Sequence, residues 1–224
     1  MKSRNRLAEV KTSDGGVLAL YESDGIFSMN FNGQELMHQK ASASEELLGE
    51  LGAETLPDEG FARVLIGGLG LGFTLRSVLS HVNASTLVDV VELIPEVVEW
   101  NKTHLQSLNG GLLDDDRVTV RTEDVVALIR SSEAGLYDSI LLDVDNGPVA
   151  MVAEGNHSLY SVKGIAMIRR ALKAKGRAVF WSAGPDPKFE KRLRGAGFNV
   201  TAIPAKLHHN ARRAIYVLFV ADVA

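Results

Sequence analysis

Ile66-Gly67-Gly68-Leu69-Gly70-Leu71-Gly72 decides the fold. It follows the apolar run Arg63-Val64-Leu65-Ile66 and precedes a helix expected from about Phe73 to His81. Glycines at a strand-to-helix junction permit a tight turn and a close backbone approach by a ligand. The helix N-terminus behind them offers N–H groups without intrahelical partners. Gly67, Gly68, Gly70 and Gly72 are therefore the first candidate binding positions; the plain alternative is a tight turn with no ligand.

Downstream, a strand–helix rhythm repeats. Thr86–Val91 reads as a second strand, Pro95–Leu108 as a helix, Arg117–Val120 as a third strand and Glu123–Arg130 as a helix. Tyr137–Leu142 is a fourth strand. A helix near Val162–Ala174 leads to a strand at Ala178–Trp181. Asp186–Arg194 is helical, and Phe198–Ile203 and Ala214–Val220 are the last two strands. Such alternation predicts a mostly parallel, doubly covered sheet, and the near-continuous apolar strands fit burial on both faces. No helix separates the last two strands, which predicts an antiparallel pair at the sheet edge.

Upstream, Val17–Tyr21 and Ile26–Phe31 are short β-prone runs, punctuated by Asp14-Gly15-Gly16, Asp24-Gly25 and Asn32-Gly33. These are hairpin signals. The expected organisation is a small N-terminal β-hairpin region (1–37), a helix and linker (38–60) and a Rossmann-like domain (61–224). The helix spans about Ser42–Leu51, with Ser42 or Ser44 as its cap.

The chain has 224 residues, a net charge of −4 and no cysteine. Disulfides and thiolate metal sites are excluded, and a basic nucleic-acid footprint is not expected. No run approaches the ~20 apolar residues of a membrane span, and no export signal follows the N-terminus. A cytoplasmic protein is expected. His208-His209 lacks a third ligand and any metal-site spacing, so no metal is expected.

Candidate chemistry gathers at the carboxyl ends of the strands, where open α/β sheets bind their ligands. Glu92 stands at the end of the second strand, roughly 20 residues past the glycine turn, where an acid can accept hydrogen bonds from both hydroxyls of a ribose. Asp89 is the competitor but lies inside the strand. Glu123 and Asp124 follow the third strand, where an acid can accept from the exocyclic amine of an adenine; Asp124 or Thr122 capping the next helix is an equal alternative. Asp143-Val144-Asp145-Asn146-Gly147-Pro148 follows the fourth strand. One carboxylate there could hold a cation while the other takes the proton of an attacking amine; an Asx-type turn is the alternative. His157 and Tyr160 are further candidate proton partners, a lone histidine being more often a plain surface or core residue, and Trp181 is either a pocket wall or core.

With these residues the chain resembles the spermidine synthase family of aminopropyltransferases, within the AdoMet-dependent methyltransferase fold. The resemblance covers the N-terminal hairpins, the glycine turn, Glu92, Glu123-Asp124, Tyr137–Pro148 and Leu159-Tyr160. It implies that Gly68, Gly70, Glu92 and Asp124 line a nucleoside and that Asp143 matches the family's catalytic aspartate. Three features depart from the family pattern. The acid of the family's G-G-G-D-G-G turn is Gly70 here. Its Tyr-Gln-Glu segment appears as Ser44-Glu45-Glu46. Its D-x-x-D-P-x-G-P loop is shortened to Asp143–Pro148.

The resemblance implies a group transferase that uses AdoMet or decarboxylated AdoMet as co-substrate and alkylates a small amine-like acceptor, with Asp143, Asp145 and Tyr160 as catalytic residues. Gly70 makes methyl transfer the slightly better fit, because a donor carboxylate would avoid an acid at that position. The residues around Asp143 fit aminopropyl transfer. A nucleoside-binding homologue without catalysis and an NAD-dependent oxidoreductase are the competing readings. Exposed hairpin edges make a homodimer plausible.

Overall fold

The computed structural model describes residues 4–13, 15–144 and 158–224. Asp145 and His157 therefore lie outside the described residues, as does Asp14.

Four N-terminal strands, β1 (Asn5–Lys11), β2 (Val17–Ser23), β3 (Ile26–Phe31) and β4 (Gln34–His38), form one antiparallel sheet in that order. Ser23 pairs with Ile26 and Phe31 with Gln34, so both later hairpins have two-residue turns. Both residues of each turn have positive φ: Asp24 and Gly25 at 53° and 76°, Asn32 and Gly33 at 50° and 83°. That is the mirror-image turn geometry that matches strand twist, and Asp-Gly and Asn-Gly adopt it with little strain. Leu18, Leu20, Phe27, Met29 and Phe31 are buried in the same apolar cluster as Leu69, Leu71 and Phe73 beside the glycine turn. The small sheet is thus fastened over the turn by shared core.

The main sheet contains β5 (Ala62–Gly67), β6 (Thr86–Glu92), β7 (Val118–Thr122), β8 (Tyr137–Leu142), β9 (Leu172–Ser182), β10 (Phe198–Ala205) and β11 (Tyr216–Val223). Their order is β10-β11-β9-β8-β5-β6-β7. The five strands β5 to β9 run parallel, and β11 pairs antiparallel with both β9 and β10. This is the Rossmann-like methyltransferase sheet expected from the sequence. The expected antiparallel hairpin forms, with its second strand inserted inward of its first.

The helices are α1 (Ala43–Ala53), α2 (Phe73–His81), α3 (Pro95–Lys102), α4 (Gln106–Asn109), α5 (Val125–Ser131), α6 (Val162–Ala171) and α7 (Pro187–Gly195). Two apolar clusters cover the two sheet faces. One takes residues from α1, α2, α3 and the N-terminal sheet, the other from α5, α6 and α7. Among the described residues, no helix is long and apolar enough to cross a membrane.

Three of the boundaries that differ from the sequence reading have a visible local cause. The helix expected over Pro95–Leu108 breaks after Lys102. The Thr103 hydroxyl donates back to the Glu99 carbonyl at 2.7 Å, and the redirected chain buries Leu105 completely. Such back-bonding by a β-branched residue competes with helix continuation. The helix expected to reach Ala174 stops at Ala171, because Leu172 already pairs with Tyr137 of β8. Lys175, at φ 67°, lets that long strand rejoin its register before Arg177. Asp186 is the cap of α7, its carboxylate accepting from the Phe189 N–H at 2.9 Å.

Candidate active site

A cavity of about 820 Å³ opens at the carboxyl ends of β5, β6, β7, β8 and β9. Its floor is the glycine turn and its roof is β4, the start of α1 and the loop carrying Leu207 and His208.

The turn is shaped by its glycines at two points. Gly68 has φ 90°, and a Cβ there would come within 2.9 Å of the Asp143 carbonyl oxygen, so the two strand ends approach as backbone to backbone. Gly70 has φ 51°, and a Cβ there would meet the Met37 sulfur at 2.7 Å. Gly68 and Gly70 line the cavity, whereas Gly67 and Gly72 are not among its lining residues. Gly67 is the last residue of β5, and Gly72 is the left-handed residue just before α2.

From behind, α3 and α4 brace this turn. Asn101 Nδ2 donates to the Gly70 carbonyl at 2.9 Å, and Asn109 Nδ2 donates to the Leu71 carbonyl at 3.1 Å and to Asn101 Oδ1 at 2.7 Å. Asn101 is buried within α3. A polar residue on the inward face of a helix was the one trace of this brace in the sequence.

Glu92 ends β6 and is buried. One of its oxygens accepts from the Leu69 N–H at 3.0 Å and the other from the Ile94 N–H at 2.9 Å. Burial pushes its pKa up, and these backbone bonds work against that shift. Asp89, the competitor, faces away from this chemistry. It is 2 % exposed and binds Arg63 Nε at 2.8 Å, Arg121 Nε at 3.3 Å and the Tyr137 hydroxyl at 3.2 Å. Glu123 and Asp124 both line the cavity. Asp124 also caps α5, accepting from the Val126 N–H at 2.8 Å, so the capping alternative is realised at a residue on the cavity wall.

Asp143 and Val144 line the cavity at the end of β8. Tyr160, expected among the catalytic residues, is not in the lining. Its hydroxyl donates to the Val144 carbonyl at 3.2 Å, and its ring packs edge-on against Phe189 at 5.3 Å. Aromatic packing holds it behind the strand end, so it braces the segment that carries Asp143. Trp181 realises both of its readings. It lines the cavity, donates from Nε1 to Ser44 Oγ at 3.1 Å and packs on Tyr216 at 4.6 Å. His208 also lines the cavity, with Nδ1 bonded to the Lys40 carbonyl at 2.6 Å, while His209 pairs with Glu46 at 3.0 Å. Among the described residues no group of acids and histidines is arranged to hold a metal ion.

A glycine turn, a strand-end glutamate, paired acids after the third strand and an aspartate after the fourth now share one cavity. The spermine/spermidine synthase domain model matches residues 41–193, more than half of the chain. The chain belongs to that family.

Its curated relatives include polyamine aminopropyltransferase 1 of Streptomyces coelicolor, 33 % identical over 148 residues. That alignment covers 62 % of this chain and 27 % of the relative, so the chain spans less than a third of that protein's length. The solved spermidine synthase of Thermotoga maritima superposes with a TM-score of 0.73 at 19 % identity, over 98 % of this chain and 72 % of the other. A spermidine synthase solved with the transition-state analogue AdoDATO gives 0.75 at 19 % identity, over 98 % of this chain and 74 % of the other. At such identities the superpositions establish the shared fold.

Against this family background, two of the lining residues that the sequence reading did not place at the site stand out. Glu45, in the first turn of α1, lines the cavity together with Asp143. Burial pushes its pKa well up, and the negative charges of Asp143 and Glu46 push the same way, with Arg76 opposing. The same two carboxylates, Glu45 and Asp143, add to the burial that raises the pKa of Tyr216. The second is Met37 of β4, which reaches Gly70. The sequence signal for Glu45 is the carboxylate that stands where the family's Tyr-Gln-Glu segment has its glutamine.

Proposed function

We propose that this chain carries the transferase centre of a polyamine aminopropyltransferase, moving an aminopropyl group from decarboxylated AdoMet to a small amine acceptor. The observation that carries this reading is the position of Asp143 on the wall of a cavity that also contains Glu92 and the glycine turn. Glu92 accepts from the ribose hydroxyls through lone pairs not taken by Leu69 and Ile94. Leu93, Ile94 and Val125 sandwich the adenine, with Glu123 or Asp124 accepting from its amine. The neutral acceptor nitrogen attacks the propyl carbon next to the sulfonium. The C–N bond forms as the C–S bond breaks, methylthioadenosine leaves, and the ammonium proton passes to Asp143. Much of the acceleration comes from holding two reactants in line away from water. Asp145 and Tyr160 belong to this proposal in lesser roles: Asp145 as a second acid two residues further along the sequence, and Tyr160 as the support of the strand end.

Methyl transfer from intact AdoMet rests on Gly70 alone. The related proteins are named as aminopropyltransferases, which gives it no support, and the two carboxylates of Glu45 and Asp143 would repel the donor's own carboxylate.

Methylthioadenosine release from decarboxylated AdoMet and a diamine tests the reading. Turnover is expected, falling by roughly 100-fold or more in Asp143→Asn, as for loss of a general base. Turnover only with intact AdoMet would establish a methyltransferase. Binding without turnover on any amine would establish a non-catalytic homologue, and binding of NADH instead would revive the oxidoreductase.

A further inference from the structure

Two carboxylates, Glu45 and Asp143, look into one cavity from opposite elements, the start of α1 and the end of β8. Glu46 beside them is engaged: Arg76 reaches its Oε1 at 3.4 Å and His209 its Oε2 at 3.0 Å. The Glu45 carboxylate makes no hydrogen bond or ion pair among the described residues, and the residue is half-buried. The groups that act on it are Asp143, Glu46 and Arg76, and Tyr216 faces both it and Asp143. A half-buried anion beside a second anion is unfavourable until a cation joins it.

The glycine turn supplies no such group. At Gly70 the direction a side chain would take is occupied by the Met37 thioether. An acid projecting from the turn would have to displace that side chain.

We propose that Glu45 is the specificity-determining carboxylate that binds the primary ammonium of the donor, doing from α1 what the turn at Gly70 does not do. The inference rests on the transferase reading above. The ammonium of decarboxylated AdoMet supplies the opposite charge that Glu45 lacks. The added carboxylate of intact AdoMet would be repelled at the same place. Methylthioadenosine, which has no ammonium, makes no use of Glu45.

Calorimetric titration of wild type and Glu45→Gln with decarboxylated AdoMet and with methylthioadenosine tests this. The expected result is a loss of about tenfold or more for decarboxylated AdoMet, the value of a charge-assisted hydrogen bond, with methylthioadenosine affinity unchanged. Glu45→Asp, which keeps the charge, should recover part of the loss. If both ligands weaken together in Glu45→Gln, the role of Glu45 is structural and the inference falls. If wild type binds both ligands and Glu45→Gln binds both equally well, the inference alone falls. If wild type binds neither, the proposed function falls and takes this inference with it.

Discussion

The Met37 sulfur lies 2.7 Å from where a Cβ on Gly70 would stand. A residue of the small N-terminal sheet and one of the turn after β5 thereby decide together what the cavity floor can present. Gly70→Ala meets only the end of a flexible side chain, which can swing aside. Gly68→Ala meets the backbone carbonyl of Asp143 at 2.9 Å and has φ 90°. Denaturant unfolding should show Gly70→Ala costing about 1 kcal/mol and Gly68→Ala about 2–3 kcal/mol. Met37→Ala should recover part of the loss at Gly70 and none at Gly68.

The pH dependence of Glu45 has a defined sign. Its pKa in the folded protein is raised above the ordinary 4.5, chiefly by burial and then by Asp143 and Glu46. Between those two values the folded protein holds a proton that the unfolded chain has released. Stability therefore falls as pH rises through that window. Glu45→Gln should raise the melting temperature of the ligand-free protein above the window and have little effect at pH 4. A uniform shift at all pH values would show that packing, not charge, governs the site.

Asp89 holds β6 to its neighbours, with Arg63 from β5 at 2.8 Å, Arg121 from β7 at 3.3 Å and the Tyr137 hydroxyl from β8 at 3.2 Å. Burial, then the charge of Asp89, lifts the Tyr137 pKa to about 12. Asp89→Ala should destabilise the fold by about 3 kcal/mol, since it strands a partly buried guanidinium and a buried hydroxyl. Chemical denaturation would measure the loss, and methylthioadenosine affinity at saturating folding conditions should be unchanged.

The paired asparagines predict the opposite pattern. Asn101→Ala removes the donor to the Gly70 carbonyl and leaves that oxygen unsatisfied. A cost of about 1–2 kcal/mol is expected. Because the turn is also the cavity floor, methylthioadenosine affinity should fall several-fold in calorimetry even where the protein is fully folded.

Much of this protein was determined by local sequence. Asp24-Gly25 and Asn32-Gly33 fixed two hairpins because so few residues tolerate paired positive φ. The alternation of apolar runs with helical stretches set the parallel sheet, and the spacing from the glycine turn to Glu92 set one wall of the cavity. These are properties of backbone conformation and of burial over a few residues. Tertiary structure decided the rest. It broke the helix at Thr103 to bury Leu105, drew β9 back to Leu172, turned Tyr160 inward onto Phe189 and brought Met37 to Gly70 and Glu45 to Asp143. Those outcomes depend on which side chains from distant parts of the chain fill the same volume or share the same charge, and no pattern within a short window carries that information.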